Sequence, residues 1–299
     1  GLRYEYNDQK SPKEFLGIQI PNGRVTDGAL VARLGVNYAL AEFTNLRASW
    51  GQGYRYPTIT ERFIRTSFGG FQIFPNPLLQ PEYGFSTELA VKQGLKIGSI
   101  QGFLDVAAFW QEYSDMIEFS FQNNPLGFTP INVGNTRIAG FETSFMGKFD
   151  IWKINFTTLM GYTYIDPIYK DYDTNEQISS TVSAGVNVLK YRSKHSAKID
   201  IEGTFKGAFI GFAHQYYSHL INIDKVFEAP VAGQDIFEIG AFRRLNPNGF
   251  NVIDLRGGYA LGRVKISGIV SNLTNQLYTI RPGLAEAPIN YTLRLDLSF

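Results

Sequence analysis

The last ten residues, 290–299 (NYTLRLDLSF), alternate without an error. Tyr291, Leu293, Leu295, Leu297 and Phe299 fall on one side, and Asn290, Thr292, Arg294, Asp296 and Ser298 on the other. Successive side chains of a strand point to opposite faces, so this segment presents one apolar and one polar face. The same period runs through residues 2–7, 29–40, 45–53, 83–93, 99–113, 132–148, 153–165, 196–206, 208–219, 250–261 and 263–272. Ile199, Ile201 and Phe205 oppose Lys198, Asp200 and Glu202, and Val264, Ile266 and Val270 oppose Arg263, Lys265 and Ser267. The alternation is least clean in 208–219. Connections alternate as well. Tight links fall at 41–44, 94–98, 149–152, 206–207 and 261–262, and long polar or Pro/Gly-rich links at 8–28, 54–82, 119–131, 166–195, 220–249 and 273–289. Short turns at one end and long loops at the other describe an all-β fold, a transmembrane antiparallel β-barrel wall with lipid outside and water inside. A soluble sandwich has no reason to alternate its loop lengths. Twelve strands, an even number, return both chain ends to the periplasmic side.

Composition agrees with that solvent assignment. Of 299 residues, 15% are aromatic, with 24 Phe and 17 Tyr, and 18% are charged, against about 25% in ordinary soluble domains. A net charge of +1 leaves no footprint for nucleic acid. Cysteine is absent, which excludes disulfides and thiolate metal sites. No apolar run reaches the roughly 18 residues of a membrane helix, so a membrane span has to be made of strands. No signal peptide precedes the first alternating segment, and the expectation is a mature, truncated chain. Trp50, Trp110 and Trp152, with Tyr162, Tyr164, Tyr259 and Tyr291, fit an interfacial aromatic girdle.

Candidate chemistry is sparse. The 54–82 link holds Tyr54, Arg55, Tyr56, Arg62, Arg65, Phe68, Phe71 and Phe74. These residues suit either a basic, aromatic surface for an anionic ligand such as a ferric chelate, or a folded loop with its own small core whose arginines face lipopolysaccharide phosphates. Among the three histidines, His214 and His219 are five apart, which on a strand puts them on opposite faces, away from shared metal ligation; the third is His195. Asp166, Asp171, Asp173 and Glu176 lack the Gly-centred loop of a regular calcium site. Glu142, Lys198, Asp200, Glu202, Asp254, Arg256, Arg294 and Asp296 balance in sign on the polar faces and are expected to line the lumen. No nucleophile, base and orienting group gather anywhere, so neither catalysis nor a metal or cofactor is expected.

Five segments, in order, resemble the TonB-dependent outer-membrane receptors. Residues 46–63 (LRASWGQGYRYPTITERF) look like that family's strand and aromatic–Arg–x–Pro-Thr loop start. Residues 76–82 (NPLLQPE), before Glu88, resemble its return into the barrel. Residues 112–117 (EYSDMI), then Asn132, Gly134, Gly140 and Glu142, and finally 272–278 (NLTNQLY) with the terminal strand, are similar to later elements. The resemblance implies a barrel of 22 strands in the bacterial outer membrane with an amino-terminal plug in its lumen. Residues 1–299 would then be the carboxy-terminal portion of the barrel, with the plug and first strands lying outside this sequence. It further implies uptake of a scarce nutrient (siderophore-iron first, then another chelate, an oligosaccharide or a peptide) with TonB-derived energy, and a terminal Phe299 read by the barrel-insertion machinery. The expected partners are outer-membrane lipid and lipopolysaccharide, the plug and first strands, and TonB; whether a surface lipoprotein caps the loops stays open. The haem receptors of this family carry a histidine in the corresponding loop, and none lies between Pro57 and Asn76. The alternative is a self-contained twelve-stranded barrel, a passive porin or a membrane-embedded enzyme.

Overall fold

The computed structural model describes the chain except for residues 16, 21–22, 69–70, 124–125, 174–181, 229–234, 236–237, 282–283 and 299. Twelve strands form one sheet in chain order. They are β1 (Leu2–Lys10), β2 (Arg24–Ala41), β3 (Thr44–Arg55), β4 (Glu82–Ile97), β5 (Ile100–Ser114), β6 (Thr136–Ile151), β7 (Ile154–Tyr169), β8 (His195–Phe205), β9 (Ala208–Tyr217), β10 (Phe250–Leu261), β11 (Val264–Ser271) and β12 (Asn290–Leu297). Every neighbouring pair is antiparallel. Among the described residues β1 and β12 do not pair with each other, so the wall has two edges.

Paired residues of an antiparallel sheet share a face, so the register carries each face across the wall. One face shows Leu2, Leu34, Leu89, Ile210, Ile266 and Leu293, all more than half exposed. Such a face is stable only against lipid. The opposite face carries the charged positions. The wall is one layer thick between two solvents and holds little core of its own.

Five of the connections contain two residues each: between β2 and β3, β4 and β5, β6 and β7, β8 and β9, and β10 and β11. Lys206 and Gly207 both have positive φ, 47° and 85°, the requirement of a type I′ turn, whose twist matches the strands it joins. Trp152, at φ 55°, takes the same region without a glycine and is 82% exposed.

The long connections fold into a cap. Ile117–Asn123, Leu126–Asn132, Phe71–Ile73 and Thr66–Phe68 make a second, four-stranded sheet. The link expected at 119–131 thus carries most of a hairpin of its own. That hairpin corrects the 132–148 strand: Asn132 belongs to it, Gly134 turns at φ 76°, and β6 starts at Thr136. Val133, 2% exposed, is drawn into a cap core with Tyr169, Val182, Ala184 and Leu189. A second core holds Leu220, Ile223, Val226, Phe227 and Ile239, packed against Phe71, Phe121, Phe128 and Tyr191. Helices α1 (Ile59–Phe63) and α2 (Ile239–Leu245) lie in the same loops. No helix among the described residues is long and apolar enough to cross a membrane.

Candidate functional site

Residues 56–81 leave the wall through a capped helix. The Thr58 hydroxyl accepts from the Glu61 N–H at 3.1 Å, and the Glu61 carboxylate accepts from the Thr58 N–H at 2.7 Å, a reciprocal box that starts α1. The Thr58-x-x-Glu61 spacing is the sequence signal for it. Arg55 is taken up by Glu61 at 2.9 Å and Glu82 at 3.1 Å. Arg62 is 1% exposed. Its guanidinium donates to the Leu79 carbonyl at 2.8 Å and to Gln9 Oε1 at 3.1 Å, and faces Asp27 at 3.5 Å, tying the loop to β1 and β2. Phe71 meets Phe121, Phe128 and Phe227 edge-on at 5.8, 5.5 and 5.9 Å. Arg55, Arg62 and Phe71 therefore build the loop, which favours the reading of a folded loop with its own core. Tyr54 and Tyr56 lie together, with ring centroids 4.9 Å apart. Arg65 stays exposed, 4.6 Å over the Phe74 ring and donating to Gln72 at 3.1 Å.

Three loops meet at a buried polar group that no motif announced. The Lys190 ammonium donates to Asp224 and to the Phe119 carbonyl, each at 2.8 Å, and both charged side chains are 1% exposed. Tyr191 donates to the other Asp224 oxygen through a short bond. Glu118 accepts from the Tyr169 hydroxyl at 2.8 Å, and burial holds its carboxyl above the ordinary value. A charge pair this deep is costly to form and more costly to break.

A hollow of about 410 Å³ opens under α2, lined by Phe242, Phe250, Tyr278, Leu277, His219 and Arg243 among others. Phe242 stacks on Phe250 at 5.8 Å. Burial, then the Arg243 cation, holds His219 below the ordinary imidazole value. Its Nδ1 lies 3.1 Å from the Asn246 carbonyl. The strand ends at Tyr217, which places His219 in the loop, while His214 stays on β9 against Asn251 at 3.0 Å. Sequence reasoning missed this hollow because its walls come from two loops and a strand end.

The pairing register puts Glu142, Lys198, Asp200, Glu202, Asp254, Arg256, Arg294 and Asp296 on one face. Arg256 bridges Asp200 at 2.7 Å and Glu202 at 2.8 Å; Gly211 lies beneath it, where a Cβ would stand 2.6 Å from its Nε. Arg294 pairs with Asp296 at 2.7 Å, and Asp254 accepts from the Asn272 N–H at 2.8 Å. The loop acids do not converge. Asp166 pairs with Arg137 and Lys194, Asp173 accepts from Asn187, and Asp171 accepts from Asn135. Glu176 and Phe299 lie outside the described residues.

A family model described as TonB dependent receptor-like, beta-barrel, matches residues 1–273. The chain belongs to the TonB-dependent receptors. The barrels of this receptor family are outer-membrane proteins, and the relatives found are transporters and binding proteins. The vitamin B12 transporter BtuB of Vibrio vulnificus (strain YJ016) is 29% identical over 109 residues, 36% of this chain and 16% of that protein. The hemoglobin and hemoglobin-haptoglobin-binding protein A of Haemophilus influenzae is 29% identical over 133 residues, 40% of this chain and 12% of that protein. Among solved structures, the copper transporter OprC superposes with a TM-score of 0.67 at 17% identity, over 100% of this chain and 45% of its own. The FrpB iron transporter from Neisseria meningitidis gives 0.62 at 17%, over 100% and 42%. Likeness at that identity shows the fold alone. The chain spans less than half of either solved receptor.

Proposed function

We propose that this chain is the carboxy-terminal portion of an outer-membrane uptake receptor whose remaining wall strands and lumenal plug belong to the same polypeptide. The observation that carries the reading is the open, twelve-stranded wall, four of whose long connections pack together in two apolar cores beyond the strand ends. The two edges left by β1 and β12 favour a larger barrel over a self-contained one, because unpaired backbone groups in hydrocarbon cost several kcal/mol each. The cap captures a scarce nutrient, siderophore-iron ahead of another chelate, an oligosaccharide or a peptide. Tyr54, Tyr56 and Arg65, and the hollow beneath α2, supply the contact surface; Arg55, Arg62 and Phe71 hold it in shape. TonB acts on the plug, and the insertion machinery reads Phe299. The reading assigns this receptor neither a catalytic step nor a cofactor. Growth of a deletion strain on defined iron, cobalamin and glycan sources, with rescue by the full-length gene, tests the reading. Loss and rescue on one source is the expected result, and unimpaired growth on all of them would overturn it.

A further inference from the structure

Two tight turns lie side by side at one end of the wall. Trp152 and Lys153 join β6 to β7, and Lys206 and Gly207 join β8 to β9; Asn155 pairs with Thr204 just above both. Trp152 stacks on Phe205, with ring centroids 6.4 Å apart and planes inclined by 15°. The Lys153 ammonium lies 5.3 Å from the centre of the Trp152 ring, and the Lys206 ammonium 5.5 Å from that of Phe205. Phe205 belongs to the lipid face. Deeper on that face Phe156 and Ile210 pair with Gly203 from either side, so apolar surface continues from the two rings toward the bilayer centre.

The two lysines lack acids. Among the described residues neither ammonium forms an ion pair or a hydrogen bond, and each has an aromatic ring as its neighbour. Asp150, the nearest acid in the chain, accepts from the Asn155 amide at 2.6 Å on the lumen face. At the other end of these strands the cations are paired: Arg137 and Lys194 share Asp166 at 2.6 and 3.0 Å, and Lys170 has Glu112 at 2.8 Å. The backbone sets the site in advance. The Gly207 carbonyl accepts from the Ala260 N–H at 2.9 Å, which ties the Lys206 turn to β10. Trp152 holds φ 55°, a region rare for a bulky side chain. A ring that needed only headgroup depth could sit on a strand in ordinary extended backbone. With the ring 82% exposed, packing within the chain does not compensate the strain, and strain of this kind collects where function uses it.

We infer that the two turns form a binding site for one anionic glycerophospholipid of the periplasmic leaflet, the leaflet that tight turns meet. The phosphate lies between Lys153 and Lys206, each ammonium acting as a point charge toward it. The first acyl carbons cover Trp152 and Phe205, and the chain runs on over Phe156 and Ile210. Charge complementarity selects the occupant. Lipid phosphates are the anions present at this depth, and basic groups beside a membrane span recognise them. A zwitterionic headgroup carries its own ammonium, which competes with the lysines, so the site favours an anionic one. The inference stands apart from which nutrient the cap takes and from how many strands complete the ring.

Native mass spectrometry of the receptor purified in detergent tests this, with phosphatidylglycerol, phosphatidylethanolamine and inorganic phosphate as probes. The wild type should retain one phosphatidylglycerol that an equal concentration of phosphatidylethanolamine does not displace. Lys153→Gln together with Lys206→Gln should weaken that binding about tenfold, as expected for two charges near a membrane surface. Trp152→Gly removes the ring and relieves the backbone, so it should fold to the same barrel and still retain less lipid. Unchanged retention in either variant overturns the inference. Displacement of the lipid by an equal concentration of inorganic phosphate overturns it too, because the site would then serve free phosphate. Should the double lysine variant fail to fold, Trp152→Gly decides alone.

Discussion

Arg62 and Arg65 look interchangeable in the sequence, three residues apart in a basic, aromatic loop. The fold gives them opposite jobs. Arg62→Ala removes a buried guanidinium bound to Leu79, Gln9 and Asp27, and each lost bond to a charged group is worth about 1.5–3 kcal/mol. Limited proteolysis should then cut residues 56–81 at least several-fold faster, whatever the ligand. Arg65→Ala, on an exposed side chain, should leave proteolysis unchanged and appear only in ligand affinity. If both variants resist protease equally, the anchoring role fails. The buried pair makes a stronger case. Lys190→Met strands the Asp224 charge, and breaking one partner of such a pair costs about 3–5 kcal/mol, read as faster amide exchange in residues 182–190 and 220–227; exchange unchanged from the wild type would refute it. Nothing in the sequence points to these two, because Lys190 and Asp224 are 34 residues apart and neither interrupts a pattern. Burial chose them, and burial is a property of the assembled loops.

At the scale of elements, the number and order of the wall strands were legible, with strand ends displaced by up to five residues, and the cap was not. A strand between lipid and water must alternate at period two over its whole length, so β12 is written in its own eight residues. The cap strands Thr66–Phe68 and Phe71–Ile73 are three residues each, too short to carry a period. Their sheet exists because Phe128 pairs with Ile73 from another loop. The cap also responds to pH through Glu118. Its carboxyl is neutral in both states well below the ordinary value of 4.5, so it costs nothing there. As pH rises through that value the unfolded chain ionises first, and cap stability falls until the raised folded value is passed. Glu118→Gln keeps an acceptor for Tyr169 and removes that slope. The variant cap should resist protease better than the parent at pH 7 and equally at pH 4; a gain of the same size at both pH values would contradict the assignment. One backbone position is equally exacting: Gly249, at φ 82°, would place a Cβ 2.0 Å from the Tyr217 carbonyl. Gly249→Ala should therefore displace the start of β10 and lower the yield of folded barrel.

For the molecule as a whole, the decisive quantity is the number of edges. Interior strands of the wall satisfy their backbone groups on both sides, but β1 and β12 each keep one unpaired row among the described residues. A soluble sheet covers such an edge with charge or a loop; within hydrocarbon only closure removes it. Every strand of the wall repeats the same lipid-and-water code, so the code itself never states how many strands complete the ring. That count is visible only in the geometry of closure. The protein purified from its native membrane should therefore carry a polypeptide well above 33.6 kDa, or a companion fragment that stays bound until denatured. The chain produced alone should refold in detergent only as mixed oligomers, because edge pairing between copies is the remaining way to satisfy β1 and β12. A native species of 33.6 kDa, monomeric and migrating as a compact heat-modifiable barrel, would show that twelve strands close by themselves.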